Sequence, residues 1–213
     1  MRRGPRAGRA WPALIVAVLA TTAFAADVPV RKLGIEFKED RLLVSFGYSD
    51  IFDDQSKAKL TNGLPTTVLM RMSLVPKGKK DVLGFTMRSV SITYDLWDEV
   101  FHVTVEEPGV KKKKLLVDDA SEAVKIAAKV KDQPISIMDV PSGTFRLHVR
   151  VDLNPVSKEV LKGMQSWLNR PGDDSGSLRP GDSFFGSFIS FFVNKKLQKA
   201  ERTREFKSQS FQI

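Results

Sequence analysis

The chain has only two histidines, His102 and His148, and both lie in segments whose alternation of apolar and polar residues predicts strands. Side chains alternate between the two faces of a strand, so Glu106 shares a face with His102, and Asp152 shares one with His148. If the two strands were neighbours, these imidazoles and carboxylates would form a zinc site. Arg150 lies on the same face as His148 and would repel a cation. The pattern therefore favours ordinary histidines on the solvated face of an antiparallel sheet, and we predict neither a metal site nor a cofactor.

Residues that could catalyse a reaction do not form a recognisable pattern. The sequence has no cysteine, no serine in a nucleophile elbow and no glycine-rich phosphate loop. Acidic pairs occur, but neighbouring residues on a strand point to opposite faces, and Asp53 and Asp118 are better explained as helix caps. We predict no catalytic residue and expect the protein not to be an enzyme, with an uncharacterised enzyme as the third alternative for its function.

The sharpest run of charge consists of Lys111, Lys112, Lys113 and Lys114. Such a run is typical of a solvated loop, or of an edge strand whose lysines prevent pairing with other sheets. It would equally suit contact with an anionic lipid or polysaccharide surface. Both interpretations stay open at the level of sequence.

A Phe-rich segment, residues 184–193, is the most unusual part of the chain. As a helix capped by Asp182 or Ser183, it would present a wide apolar arc followed by lysines, and it is too short to span a membrane. Three interpretations remain open: it folds back over the sheet, lies in a membrane interface, or docks into a groove of a protein partner. The candidate membrane or partner contacts are Phe184, Phe185, Phe188, Ile189, Phe192, Lys195 and Lys196.

The first 25 residues are typical of a cleavable secretory signal. Four arginines precede an apolar stretch from Trp11 to Phe24, and Ala23-Phe24-Ala25 places cleavage before Ala26. An uncleaved anchor is the alternative. We therefore expect an exported protein of a bacterial periplasm or cell envelope.

The net charge of +9 falls to about +5 when the four arginines of the signal are removed. In an exported protein, that modest excess suits anionic surfaces such as phospholipid headgroups or envelope polysaccharide rather than nucleic acid. The partners we predict are an envelope protein or an anionic membrane surface. The sequence does not identify a small-molecule ligand.

The remaining elements are predicted mainly as strands. Residues 33–37 and 42–46 predict a hairpin, and long strands follow over 64–75, 82–94 and 100–106, with a further strand over 111–117. Asp53 is expected to cap a short helix, and Asp118 or Asp119 a helix that runs to about Val130. Residues 135–138 and 144–153 are expected to form a second strand pair, and Phe206 and Phe211 to lie in a closing strand.

These elements predict an α+β fold, mainly an antiparallel sheet or sandwich with packed helices, plus the Phe-rich helix. The expected organisation is a signal peptide (1–25), a β-rich globular domain (26–170), a linker (171–181) and a Phe-rich helix with a basic C-terminal segment (182–213).

Four segments follow one another in a recognisable order: Gly63-Leu64-Pro65, the run from Tyr94 to Val103, Ser121-Glu122-Ala123 and the late strand from Arg146 to Asn154. Through them, residues 33 to about 155 resemble a family of exported bacterial proteins that carry domain of unknown function 4390. It implies an exported β-rich domain and brings no known reaction. The chain after Pro171 departs from the family pattern.

Together these features predict a non-catalytic envelope protein that binds or scaffolds through the Phe-rich helix or the basic loop. The alternative is a carrier that holds an apolar or anionic envelope ligand between sheet and helix.

Overall fold

A computed structural model describes residues 28–155 and 200–213 of the chain. Its strands are β1 (Val30–Arg31), β2 (Gly34–Lys38), β3 (Arg41–Gly47), β4 (Thr66–Pro76), β5 (Gly84–Asp95), β6 (Val100–Glu106), β7 (Lys113–Val117), β8 (Lys129–Ser136), β9 (Thr144–Leu153), β10 (Arg202–Ser208) and β11 (Phe211–Gln212). The helices are α1 (Asp54–Ala58) and α2 (Ala120–Ala128), with single 3₁₀ turns at Ser49–Ile51 and Lys59–Thr61.

The strands form two sheets. The larger has the order β1-β10-β9-β4-β5-β6-β7, with β11 also paired to β9, and the smaller has the order β2-β3-β8. All pairs are antiparallel except the parallel pair of β1 with β10. The fold is therefore β-rich α+β. The segments predicted as a signal peptide, a linker and a Phe-rich helix lie outside the described residues.

Both helices begin where the sequence predicts. Asp53 caps α1 by accepting a hydrogen bond from the backbone N–H of Ser56, and Asp119 caps α2 by accepting one from Ser121. However, α2 ends at Ala128, earlier than Val130, because the chain from that point pairs with β3 as β8. Strand pairing with a distant segment thus outweighs the local helical pattern.

The prediction that residues 135–138 pair with 144–153 is wrong. Residues 135 and 136 belong to β8, which ends at Ser136 and pairs with β3 in the smaller sheet, whereas β9 lies between β10 and β4 in the larger one. The short connection between the two segments crosses from one sheet to the other, and an apolar run alone does not reveal such a crossing.

The core lies between the two sheets and the apolar face of α2. Alternate positions of each long strand point into it, and α2 contributes small side chains that allow close packing. Fully or almost fully buried examples are Leu42, Val44, Val68, Met70, Met72, Leu74, Val103, Ala123, Ala127, Ile135, Leu147, Val149, Val151 and Phe206.

The opposite face of the larger sheet is also buried at its centre. Leu69 and Met87 point away from the core on β4 and β5 and have no exposed surface. Beside them, Arg71 and Asp152 form a buried ion pair, and Asp152 also accepts hydrogen bonds from Arg150 and from the Thr203 hydroxyl. We refer to this side of the sheet as the outer face.

The closing strand predicted from Phe206 is present. β10 lies between β1 and β9, and Phe206 packs into the core with the Arg31 guanidinium 4.5 Å from the centre of its ring. Arg31 also donates two hydrogen bonds to Asp50, which holds the pKa of that carboxyl below its ordinary value. The strand from the end of the chain is therefore fixed to both its start and its middle.

No helix within the described residues has the length and apolar character that crossing a membrane would require.

Candidate functional site: a lysine-lined cleft

An open cleft of about 1000 Å³ lies at the edge of the larger sheet, between the loop that leads into β7 and the helix α2. Seven cationic and three anionic side chains line it, an excess of four positive charges. Its apolar floor includes Val105 of β6, Leu115 of β7 and Ile126 of α2. The site thus combines a strongly basic rim with an apolar base.

Part of the lysine run forms one wall of the cleft. The strand β7 places the other part on its opposite face. Lys113 pairs in register with buried Val105 and therefore lies on the inner side of β7, together with Leu115. Lys114 pairs with Thr104 and lies on the opposite side, outside the lining of the cleft. Lys111 and Lys112 precede the strand and complete this wall. The structure thus brings together three of the four lysines that the sequence marked.

The same strand lies at the end of the sheet, because β7 pairs only with β6 among the described elements. Its exposed lysines therefore also fit the alternative interpretation, an edge strand protected from pairing with other chains. The two interpretations are compatible, since Lys113 faces the cleft while Lys114 projects from the other face.

The second wall carries Lys125, Lys129 and Lys131. Lys125 lies in the last turn of α2, and Lys129 and Lys131 follow on one face of β8. Reasoning from sequence missed this wall. The spacing of these three lysines is visible in the sequence, but only the fold shows that they lie opposite the lysine run.

Buried Arg88 of β5 lies at the base of the cleft and joins its two walls. Its two terminal nitrogens donate to the carbonyl oxygens of Ile126 (3.1 Å) and Ala127 (3.0 Å), and its Nε donates to Glu107 at 2.8 Å. The carbonyls at the end of a helix lack partners within that helix and attract positive charge. Arg88 therefore caps α2 and fixes the start of the lysine loop.

Tyr48 completes the base from the other side. Its hydroxyl donates to the same carbonyl of Ala127 at 2.8 Å and accepts from Arg88 at 3.3 Å. Burial raises the pKa of this tyrosine, and the nearby positive charge of Arg88 opposes the rise. The phenol is therefore a neutral structural donor at ordinary pH.

The acidic side chains of the lining are mostly engaged. Glu107 accepts from Arg88, and Asp119 caps α2 by accepting from the N–H of Ser121 at 2.9 Å. Lys112 is neutralised by an ion pair with Glu106. Within residues 28–155 and 200–213, no ion pair engages the other five lysines of the walls, whose positive charge is therefore available to an anionic partner.

The arrangement that a zinc site would need is not formed. His102 lies on β6 and His148 on β9, and β4 and β5 separate these two strands by about 14 Å at the usual strand spacing. In the described part of the chain, no group of three or more histidine or acidic side chains is placed to hold a metal ion.

The other candidate contacts, Phe184, Phe185, Phe188, Ile189, Phe192, Lys195 and Lys196, lie outside the described residues.

Comparison with protein-family models gives no match, and comparison with curated proteins and with solved structures finds no similar protein. Function is therefore inferred from the cleft and from the chemistry of its residues.

Proposed function

We propose that this is a non-catalytic, exported envelope protein that binds or scaffolds by holding anionic groups in the lysine-lined cleft. The observation that carries the proposal is the pair of lysine walls, which line one concavity from two sides and come from the loop before β7 and from α2 with the start of β8.

The form of the cleft supports binding of a protruding anionic group or chain. Five lysines without an ion pair among the described residues flank an apolar floor, so an occupant would gain charge attraction from both sides and some apolar contact. A flat bilayer would meet only the tips of the rim. A carboxylate- or phosphate-bearing group that enters the cleft fits this shape better.

The carrier alternative receives less support. A carrier of an apolar ligand needs a largely enclosed apolar cavity. The cleft is open and lined mainly by cations, and a smaller cavity of about 170 Å³ on the outer face is lined partly by charged Arg71, Arg150 and Glu205.

The proposal is tested by binding to alginate, a soluble anionic polysaccharide, and to phosphatidylcholine vesicles with and without phosphatidylglycerol. We expect the protein to bind alginate in dilute salt and to release it as salt screens the charges. Lys113→Glu should weaken binding about 10-fold, equivalent to about 1.4 kcal/mol.

Lys114→Glu is the matched control, because it makes the same change of charge one residue away on the other face of β7. The cleft is refuted as the binding site if the two substitutions weaken binding equally. Binding to anionic vesicles without any binding to alginate would instead assign the lysines to a membrane surface.

Export is part of the proposal and has its own test. The protein recovered from the cell envelope should begin at Ala26, as read from its intact mass. Recovery from the cytoplasm with residues 1–25 still attached would contradict export.

A further inference from the structure

A second surface feature lies in the turn between β5 and β6. Trp97 is 95% exposed, Leu96 61% and the nearby Leu64 66%. The side chain of Leu96 lies 3.1 Å from the position that a Cβ on Gly63 would take, so it contacts the chain just before Leu64. We call these three exposed apolar side chains, together with exposed Asp98 and Glu99, the tip.

The tip is held in a fixed conformation. One carboxylate oxygen of Asp95 accepts hydrogen bonds from the N–H groups of Trp97 (2.9 Å) and Asp98 (3.2 Å), and these bonds keep the pKa of Asp95 below its ordinary value. Below the turn, the rings of Tyr94 and Phe101 pack at a tilt of 46° with their centres 4.7 Å apart. A turn whose backbone is already ordered loses less entropy on docking.

The chemistry of the tip is complementary to that of the cleft. The tip presents an indole and a leucine flanked by exposed Asp98 and Glu99, whereas the cleft presents an apolar floor flanked by lysines. A volume of about 1000 Å³ accommodates an indole ring. Apolar anchors surrounded by complementary charge are typical of specific protein contacts.

The tip and the cleft lie at opposite ends of β6. The tip precedes Val100, the first residue of the strand, and the cleft begins at Val105, so the length of the strand, about 20 Å, separates them. We propose that the tip of one copy docks into the lysine-lined cleft of a second copy, in a head-to-tail assembly of this chain. The inference rests on the proposed function, since it names the occupant of the same cleft.

Head-to-tail contacts leave one tip and one cleft unfilled in each open assembly, so they propagate into rings or chains. Sedimentation velocity of the purified protein should therefore show species that grow with concentration in dilute salt and dissociate in concentrated salt. Trp97→Ser removes the anchor of the tip, and Lys111→Glu with Lys113→Glu reverses charge in the cleft. Each variant alone should remain monomeric.

Mixing the two variants gives the decisive result. The first variant keeps its cleft and the second keeps its tip, so an equimolar mixture should form a heterodimer and nothing larger. A mixture that stays monomeric, or a Trp97→Ser variant that assembles like the unmodified protein, would overturn the inference. So would binding of the monomer to phosphatidylcholine vesicles through Trp97, which would make the tip a membrane contact.

Alginate binding separates the two proposals. If the unmodified protein is monomeric at every concentration but binds alginate, the assembly is refuted and the anion-binding cleft stands. If it neither assembles nor binds alginate, both proposals fail.

Discussion

The Nη1 atom of Arg88 lies 3.0 Å from the carbonyl oxygen of Ala127, in the last turn of α2. This contact links a strand in the middle of the larger sheet to the helix that forms one wall of the cleft. The same guanidinium donates a hydrogen bond to Glu107, at the start of the loop that carries the lysine run. The geometry of the site therefore depends on one buried cation.

Arg88→Met should lower the free energy of unfolding by about 2–4 kcal/mol, because it leaves the Ile126 carbonyl and Glu107 without this donor and the Ala127 carbonyl with only the Tyr48 hydroxyl. Urea denaturation followed by circular dichroism measures the loss. The control is Arg146→Met on the outer face, where one hydrogen bond to Ser210 is lost and the expected change is about 0.5 kcal/mol. Equal losses for the two variants would contradict the role of Arg88 as the link.

Asp152→Leu should destabilise the fold by about 3–5 kcal/mol, since the charge of buried Arg71 is no longer balanced by its carboxylate. The double variant Arg71→Met with Asp152→Leu should be more stable than Asp152→Leu alone, because it removes both buried charges. Thermal melts of the single and double variants test this. A double variant less stable than the single one would show that Arg71 stabilises the sheet independently of Asp152.

Stability should depend on pH through His148. Partial burial lowers its pKa, the charges of Lys207 and Arg146 lower it further, and Glu205 opposes them. The folded state thus binds a proton less readily than the unfolded chain, so stability should fall as the pH drops below about 6.5, the ordinary histidine value.

His148→Gln should flatten this part of the profile, measured as the melting temperature between pH 7.5 and 5. The control is His102→Gln, which retains His148. Its melting temperature should therefore still fall as the pH is lowered. An unchanged profile in His148→Gln would assign the loss to other groups.

Phe188→Ser with Phe192→Ser separates the interpretations of the Phe-rich segment, which lies outside the described residues. If the segment folds back over the sheet, two polar side chains in place of phenylalanines should lower the melting temperature. An unchanged melting temperature with loss of membrane or partner binding would favour the contact interpretation instead.

Short-range signals in the sequence predicted most of the strands and both helix starts. Asp53 and Asp119 act within three residues of themselves, and alternation in β5, β6 and β9 marks the core-facing side chains directly. These signals were sufficient because each depends on neighbours in the chain.

The candidate site was only partly predictable, because several of its features depend on residues that are distant in the sequence. The lysine run was visible, but its division between Lys113 and Lys114 depends on the pairing of β7 with β6. The partnership of Arg88 with Ile126 and Ala127 joins residues about 40 positions apart. Nothing in the local pattern marks an arginine in an apolar strand as the cap of a later helix.

The place of β10 beside β9 has a consequence for how the molecule folds. Leu33 and Gln209, 176 positions apart, exchange two hydrogen bonds, and β1 pairs only with β10 among the described strands. Contacts this distant in sequence slow folding, since a long loop must close before they form. Until Arg202–Ser208 arrives, one edge of β9 exposes unpaired backbone that a strand from another molecule can occupy. The pairing of β10 with β9 is therefore a step exposed to misassembly, since it joins the end of the chain to a strand from its middle.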